Sequence, residues 1–313
     1  MTRQVLIFDS SALSKFLECE QAHDYEYAQS IIQINRNDPK LTFQVPDKIA
    51  AGTLGHKYLE IYYRNLGVTQ DPVAAVKAAM AFDPDKEDTP DNHEYPLSAE
   101  LRKRVRDRFT DYILNYGRAD YNVATRLKTQ IAVESGWLKD VSIPEPLVEQ
   151  GFSYELYSSS EYLFVLEGRI DFIGSTGGEN IWMDHKWQLR ERNLYPKSIQ
   201  FRNYALVTKF PMGVINYVRL HDKLTPKTLV RQPISFSPGE LSAWKEELTE
   251  IYVSIAKRQR QRGFDFPARN RSACPGKFGY SCPYTSLCDI YDPRQRTAYQ
   301  QMMFTKKKEW KPW

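Results

Sequence analysis

Two aspartates and a lysine in one short segment carry the clearest chemical signal in this chain. Asp171, Asp184 and Lys186 lie in the run Leu166–Trp187, which reads as two strands rich in Ile, Phe and Trp around Gly177-Gly178. A Gly-Gly pair suits a tight two-residue hairpin turn. If those glycines form the turn, Thr176 pairs with Glu179, and counting back sets Asp171 directly opposite Asp184. Directly opposed residues on one face have Cβ atoms about 4.5–5.5 Å apart. Two carboxylates that close repel each other unless a cation sits between them. Side chains alternate along a strand, so Lys186 shares the face of Asp184 while His185 points the other way. Two acids and a lysine on one patch of sheet fit a divalent-metal phosphodiesterase site. The plain alternative is a solvent-facing hairpin that carries these residues as solubilising charges.

Further segments fall in order around this one. Gly52-Thr-Leu-Gly-His56-Lys-Tyr-Leu59 reads as a helix bearing a histidine, and Gly168-Arg-Ile-Asp171 as the strand carrying the first acid. Asp184-His-Lys186 supplies an acid-x-lysine element, and Gln200-Phe-Arg-Asn-Tyr204 a Gln-x-x-x-Tyr helix. In this order the segments resemble the RecB-like branch of the PD-(D/E)XK nuclease superfamily. The likeness is nearest to its four-cysteine members, which include CRISPR-associated exonucleases, the nuclease part of AddB and several phage exonucleases. With the cysteines, it spans residues 10 to 290. The stretch from Asn65 to Glu149 holds no matching motif.

The resemblance implies a site in which His56, Asp171 and Asp184 bind a metal, with the backbone carbonyl of His185 as a further ligand. One imidazole and two carboxylates suit Mn²⁺ or Mg²⁺ better than a thiol-rich site would. Such a metal polarises the scissile phosphate and binds the attacking water, while Lys186 orients or deprotonates that water. Gln200 and Tyr204, four apart, share one helical face and would reach the lysine or the nucleic-acid backbone. Core packing beside Leu206 is the other account of Tyr204. For His56 the other account is a histidine packed between Leu54, Tyr58 and Leu59.

The chain has four cysteines: Cys19 stands alone near the N-terminus, while Cys274, Cys282 and Cys288 cluster near the C-terminus. The opening Met1–Phe8 lacks a long apolar stretch and a cleavage site, so a cytoplasmic protein is expected. A reducing cytosol disfavours disulfides and makes metal ligation the default use of these thiols. Structural zinc favours short Cys-x2–4-Cys pairs, which this spacing lacks, whereas a [4Fe–4S] cluster takes four thiolates at looser spacings. The four-cysteine nucleases place one cysteine before the core and three after it, as here, although the Cys-x7-Cys gap is longer than in several of them. A [4Fe–4S] staple joining the N- and C-terminal segments is therefore expected, with zinc or free thiols as alternatives.

Positioning these groups requires a mixed architecture. The pattern predicts helices near 52–65, 71–81 and 97–117, strands near 148–157, 162–174 and 181–188, a helix at 196–209 and a strand at 213–221. Ser10 or Ser11 is expected to cap a first helix running toward Cys19, and Ser237-Pro-Gly-Glu240 is a capping box opening a long helix. The fold class is α/β (α+β): a restriction-endonuclease-like core sheet flanked by helices. The expected layout is one nuclease domain over 1–313, with a mainly helical 1–145 that includes His56, a core at 146–235 and a C-terminal 236–313 with the cysteines and a basic tail. Residues 82–96 read as an acidic exposed loop, with His93 in solvent.

At 313 residues and a net charge of +4, composition alone does not declare a nucleic-acid binder. Basic residues nonetheless cluster at Leu101–Arg108, Lys257–Arg262 and Thr305–Trp313, and there are 20 tyrosines. Basic grooves and stacking aromatics suit single-stranded DNA or DNA ends. No run of 18 apolar residues is present, which excludes a membrane-spanning helix. No Walker A sequence occurs, so a helicase or recombination protein would be a separate partner. The leading expectation is a metal-dependent exonuclease. Its rivals are a non-catalytic nucleic-acid-binding scaffold and a redox iron–sulfur protein, neither of which needs Asp171, Asp184 and Lys186 together. Polarity, exo- versus endonuclease action, DNA versus RNA, oligomeric state and the pathway (phage DNA processing, recombination or CRISPR adaptation) stay open.

Overall fold

The computed structural model describes residues 3–33, 47–83, 97–125, 147–176, 179–189, 198–221, 224–225, 227–262, 269–274 and 282–306. In chain order, β1 (Gln4–Phe8), α1 (Ser10–Glu18), α2 (Glu20–His23) and β2 (Ile31–Gln33) come first. They are followed by α3 (Asp47–Thr69), α4 (Pro72–Met80), α5 (Ala99–Thr125), β3 (Leu147–Ser158), β4 (Tyr162–Thr176) and β5 (Glu179–Gln188). The chain continues through α6 (Ile199–Thr208), β6 (Met212–Arg219), β7 (Leu229–Ser235) and α7 (Pro238–Arg262). It closes with α8 (Thr285–Asp289), α9 (Pro293–Met303) and β8 (Phe304–Lys306). The expected α/β class is present as a mixed sheet with helices packed on it.

Two compact units divide the chain. The larger takes described residues within 47–154 and 167–246, and the smaller those within 3–33, 155–166 and 247–306. In the larger unit the second part of β4 pairs antiparallel with β5, β5 runs parallel to β6, and β6 pairs antiparallel with β7. From Ile181 to His185 every residue of β5 is buried, the mark of a central strand covered on both faces. Alternation sorts those faces. Trp182 stacks on Phe201 of α6, while Phe172 stacks on Tyr63 of α3. The main core, with Tyr58, Tyr62 and Leu66 of α3, Ala75 of α4 and Phe109 and Tyr112 of α5, lies on the α3 side of the sheet.

In the smaller unit β1 runs parallel to the first part of β4. Its core joins Phe8, Phe16, Phe164 and Tyr252 through edge-on and tilted ring contacts. A second cluster holds Tyr25, Tyr284, Leu287, Cys288 and Phe304, next to the β2–β8 pair.

Local chemistry explains the ends. Asp9 caps α1, its carboxylate accepting from Ser11 N–H and Ala12 N–H; this corrects the expectation that Ser10 or Ser11 would cap it, because those residues already lie in the first turn. Asp71 caps α4 with Pro72 at the first helical position, where a missing N–H costs nothing. The capping box forms as expected: Ser237 Oγ accepts from Glu240 N–H and Glu240 accepts from Ser237 N–H. Strands β1 and β7 were not anticipated. The 84–96 part of the acidic loop, with His93, lies outside the described residues, as do Gly177-Gly178 and the tail beyond 306. Among the described residues, no helix is long and apolar enough to cross a membrane.

Candidate active site

Strand β5 and helix α6 build one half of the site. The β4–β5 pairing includes Thr176↔Glu179 and Phe172↔Met183, the register that a turn at the two glycines requires, and it stops one step short of Asp171 and Asp184. Asp184 is fully buried and Lys186 answers it: Nζ lies 3.0 Å from Oδ1 and 2.8 Å from Oδ2. The same ammonium donates to Gln200 Oε1 at 3.1 Å. Gln200 Nε2 donates to Asp184 Oδ1 at 3.1 Å and to Tyr204 Oη at 2.7 Å. Tyr204 then donates to the Arg169 carbonyl at 2.7 Å. Tyr204 is thus a buried core residue, as the packing account has it, and its hydroxyl reaches Gln200 and the Arg169 carbonyl rather than the lysine. The stacking of Trp182 on Phe201 holds α6 at this distance, with the Lys186 ammonium 5.7 Å from the Phe201 ring centre.

Strand β4, helix α3 and the start of β3 build the other half. Asp171 Oδ2 accepts from the backbone N–H of His185 at 2.7 Å and lies 3.4 Å from His56 Nδ1. Glu149 Oε1 lies 3.7 Å from the same imidazole nitrogen, and its other oxygen lies 3.8 Å from Arg169. One donor atom from each of His56, Glu149 and Asp171 falls within 4.8 Å of the others. A nitrogen and two carboxylate oxygens, all partly buried, fit Mn²⁺ or Mg²⁺. Gly55 makes the approach of α3 possible, because a Cβ there would collide with the Trp187 ring.

Glu149 was missed by the sequence reading. It closes the stretch without a matching motif, and its backbone sits at φ 50°, a left-handed conformation a glutamate rarely adopts. Such local strain concentrates at functional sites. Asp184, expected to share the metal with His56 and Asp171, has Lys186 and Gln200 as its hydrogen-bond partners. The His185 ring lies on the opposite face, as alternation requires, near Tyr63 and Tyr112.

The electrostatics separate the two aspartates. Burial pushes both carboxyls up, but at Asp171 the nearby His56, His185 and Lys186 outweigh it and hold the group well below the usual carboxylate range. At Asp184 burial wins, reinforced by Asp171, and the carboxyl is raised despite Lys186. Burial disfavours charge on His56, yet Asp171 and Glu149 outweigh it and lift the imidazole to about 9. Lys186 likewise overcomes its burial through Asp184 and Asp171 and is raised. Closely spaced titratable groups driven in opposite directions are typical of catalytic sites.

All four cysteines belong to the smaller unit. Asn270 N–H points to Cys19 Sγ at 3.5 Å, and Asn270 Nδ2 donates to the Glu18 carbonyl at 2.8 Å. Cys282 N–H donates to the Cys274 carbonyl at 2.9 Å. Burial raises the Cys288 thiol to about 11, with Cys282, Cys19 and Cys274 adding to the rise. Burial raises Cys282 too, and Cys274 and Cys19 again contribute. These contributions place the four thiols within electrostatic reach of one another.

A buried acid–lysine–glutamine patch beside a His–Glu–Asp trio can hold a divalent cation and polarise a phosphodiester. Among solved structures, the "Putative exonuclease" from Eubacterium rectale shares 11% identity, covering 83% of this chain and 83% of that one, with a TM-score of 0.39. SSO0001 shares 13% identity, covering 61% of this chain and 75% of that one, with a TM-score of 0.30. No curated protein matches this sequence. Residues 10–289 match the family described as the PD-(D/E)XK nuclease superfamily. The matched span includes His56, Glu149, Asp171, Asp184, Lys186, Gln200, Tyr204 and all four cysteines, and the chain belongs to the PD-(D/E)XK nuclease superfamily.

Proposed function

We propose that this nuclease is a deoxyribonuclease of the RecB-like type, acting as an exonuclease on single-stranded DNA or DNA ends. The observation that carries the reading is the contact of Lys186 with both oxygens of Asp184, beside the His56–Glu149–Asp171 trio. His56, Glu149 and Asp171 would hold Mn²⁺ or Mg²⁺, with Asp184 and the His185 carbonyl as further oxygen donors. Bound there, the ion supplies Lewis-acid polarisation of the phosphate and a water of lowered pKa. Lys186 keeps a positive charge at the site and stabilises charge that develops on the phosphate oxygens. Gln200 fixes Lys186 and Asp184 together, and Tyr204 ties Gln200 to the β4 backbone. Separating Lys186 from its two acceptors would free its donors for the attacking water.

The four cysteines are proposed to hold a [4Fe–4S] cluster that fastens the α1–α2 region to the 270–288 segment; structural zinc is the alternative. Loose spacing and the nearness of all four thiols support the cluster. Its use would be structural.

End-labelled single-stranded, end-blocked and circular DNA, each incubated with Mn²⁺, test the substrate reading. Stepwise shortening of free ends with circles left intact supports it. Cleavage of circles at a rate equal to that of linear DNA contradicts exonuclease action, and preference for RNA contradicts the DNA assignment.

A further inference from the structure

The face of the sheet away from Lys186 carries a polar row that the cleavage chemistry does not touch. His185, Asn216 and Arg231 occupy directly paired positions across three strands: His185 pairs with Asn216 between β5 and β6, and Asn216 with Arg231 between β6 and β7. All three side chains meet beside Tyr63, Tyr112 and Tyr116. His185 is 1% exposed, yet its Nε2 is met by Asn216 Nδ2 at 3.2 Å, Tyr112 Oη at 3.3 Å and Tyr63 Oη at 3.4 Å. Polar groups buried without partners are destabilising, so a chain this complete specifies an arrangement.

The direction of the hydrogen bonds follows from Arg231, which can only donate. Its Nε donates to Asn216 Oδ1 at 2.7 Å and its Nη2 to Tyr112 Oη at 2.8 Å, while the guanidinium lies 4.0 Å from the Tyr116 ring centre. With its oxygen facing the guanidinium, the Asn216 amide turns its NH₂ toward His185. Nε2 of His185 is then an acceptor, which places the ring proton on Nδ1. Nδ1 lies 3.7 Å from Asp171 Oδ2, the oxygen that also takes the His185 backbone N–H and faces His56.

The geometry points to Arg231 and Asn216 as positioning residues: through His185 they fix the tautomer whose Nδ1–H faces Asp171, and so orient that carboxylate toward His56 and Glu149. This role deepens the metal-site reading above and rests on it. Outer-shell partners of metal-binding groups act in this way, by fixing the orientation and basicity of the groups in contact with the metal.

The test begins with the intact, metal-free protein labelled with ¹⁵N-histidine, the His185 signals being assigned by their absence from His185→Phe. A proton on Nδ1 alone is expected; a proton on Nε2, alone or together with Nδ1, overturns the inference. Asn216→Leu supplies the second arm. Its Mn²⁺ Kd is expected to rise on the order of 10–100-fold, with a larger loss of activity at limiting than at saturating Mn²⁺. A lowered melting temperature with an unchanged Mn²⁺ Kd overturns the positioning role in favour of simple packing. Should Asn216→Leu fail to fold, the wild-type tautomer decides alone. Wild-type protein that binds no Mn²⁺ would instead contradict the metal site, which the tautomer measurement does not require.

Discussion

The backbone N–H of His185 donates to Asp171 Oδ2 at 2.7 Å, so one aspartate of the site is clamped by the strand that carries the other. This cross-strand bond leaves Asp171 facing His56 and Glu149 while Asp184, on the neighbouring strand, faces Lys186. The two carboxylates therefore hold different environments at close range, and their ionisation is driven in opposite directions.

Lys186→Ala removes the cation that touches both oxygens of Asp184. Turnover is expected to fall on the order of 10²–10³-fold, the scale seen when one electrostatic donor to a transition state is lost. Mn²⁺ binding should persist, because the trio is left intact. Single-turnover cleavage together with Mn²⁺ calorimetry checks this, and near wild-type turnover would contradict the role given to Lys186.

Glu149→Gln keeps the shape of the side chain and removes its charge. Its Mn²⁺ affinity is expected to fall by more than the roughly 10–100-fold that outer-shell changes cause. Calorimetric titration reads this directly. An unchanged Kd would place Glu149 outside the metal site.

In the metal-free protein burial disfavours charge on the His56 imidazole, but Asp171 and Glu149 lift it from the ordinary 6.5 to about 9. Its attraction to Asp171 and Glu149 therefore stabilises the fold fully below pH 6.5 and is lost as pH rises through about 9. Metal binding needs the neutral ring, so near neutral pH it should release a proton, with apparent Mn²⁺ affinity rising toward pH 9 and then levelling. Titrations in two buffers of different ionisation enthalpy count that proton; buffer-independent heats would contradict the assignment.

Cys19→Ala should lower the melting temperature and soluble yield more than a surface change would, since ligation energy is coupled to folding. Iron, sulfide and zinc analysis of anaerobically purified protein names the metal. Iron with sulfide supports the cluster, and stoichiometric zinc without iron replaces it with a zinc site.

Much of this site was legible because it is local. Asp171, Asp184 and Lys186 are fixed by one hairpin, and Gln200 and Tyr204 by one helical turn, so period and turn chemistry place them. His56 was legible only through the family resemblance that the Gly-x-x-Gly-His segment carries, and Gly55 has a physical reason in the Trp187 ring. Glu149 was not legible: it meets His56 from 93 positions further along the chain, in a backbone conformation that no side-chain pattern announces. Strand β7 escaped because Pro233 interrupts it, a residue that argues against a strand interior and is tolerated at a sheet edge. Strand β1 escaped because five residues are too few for a period to emerge.

The most direct test of the central claim is cleavage of end-labelled DNA by wild-type protein and by Asp171→Asn, with Mn²⁺ and with a chelator. Cleavage by the wild type with Mn²⁺, abolished by the chelator and by Asp171→Asn, is the predicted result. Cleavage that survives the chelator, or that Asp171→Asn retains at the wild-type rate, would contradict it.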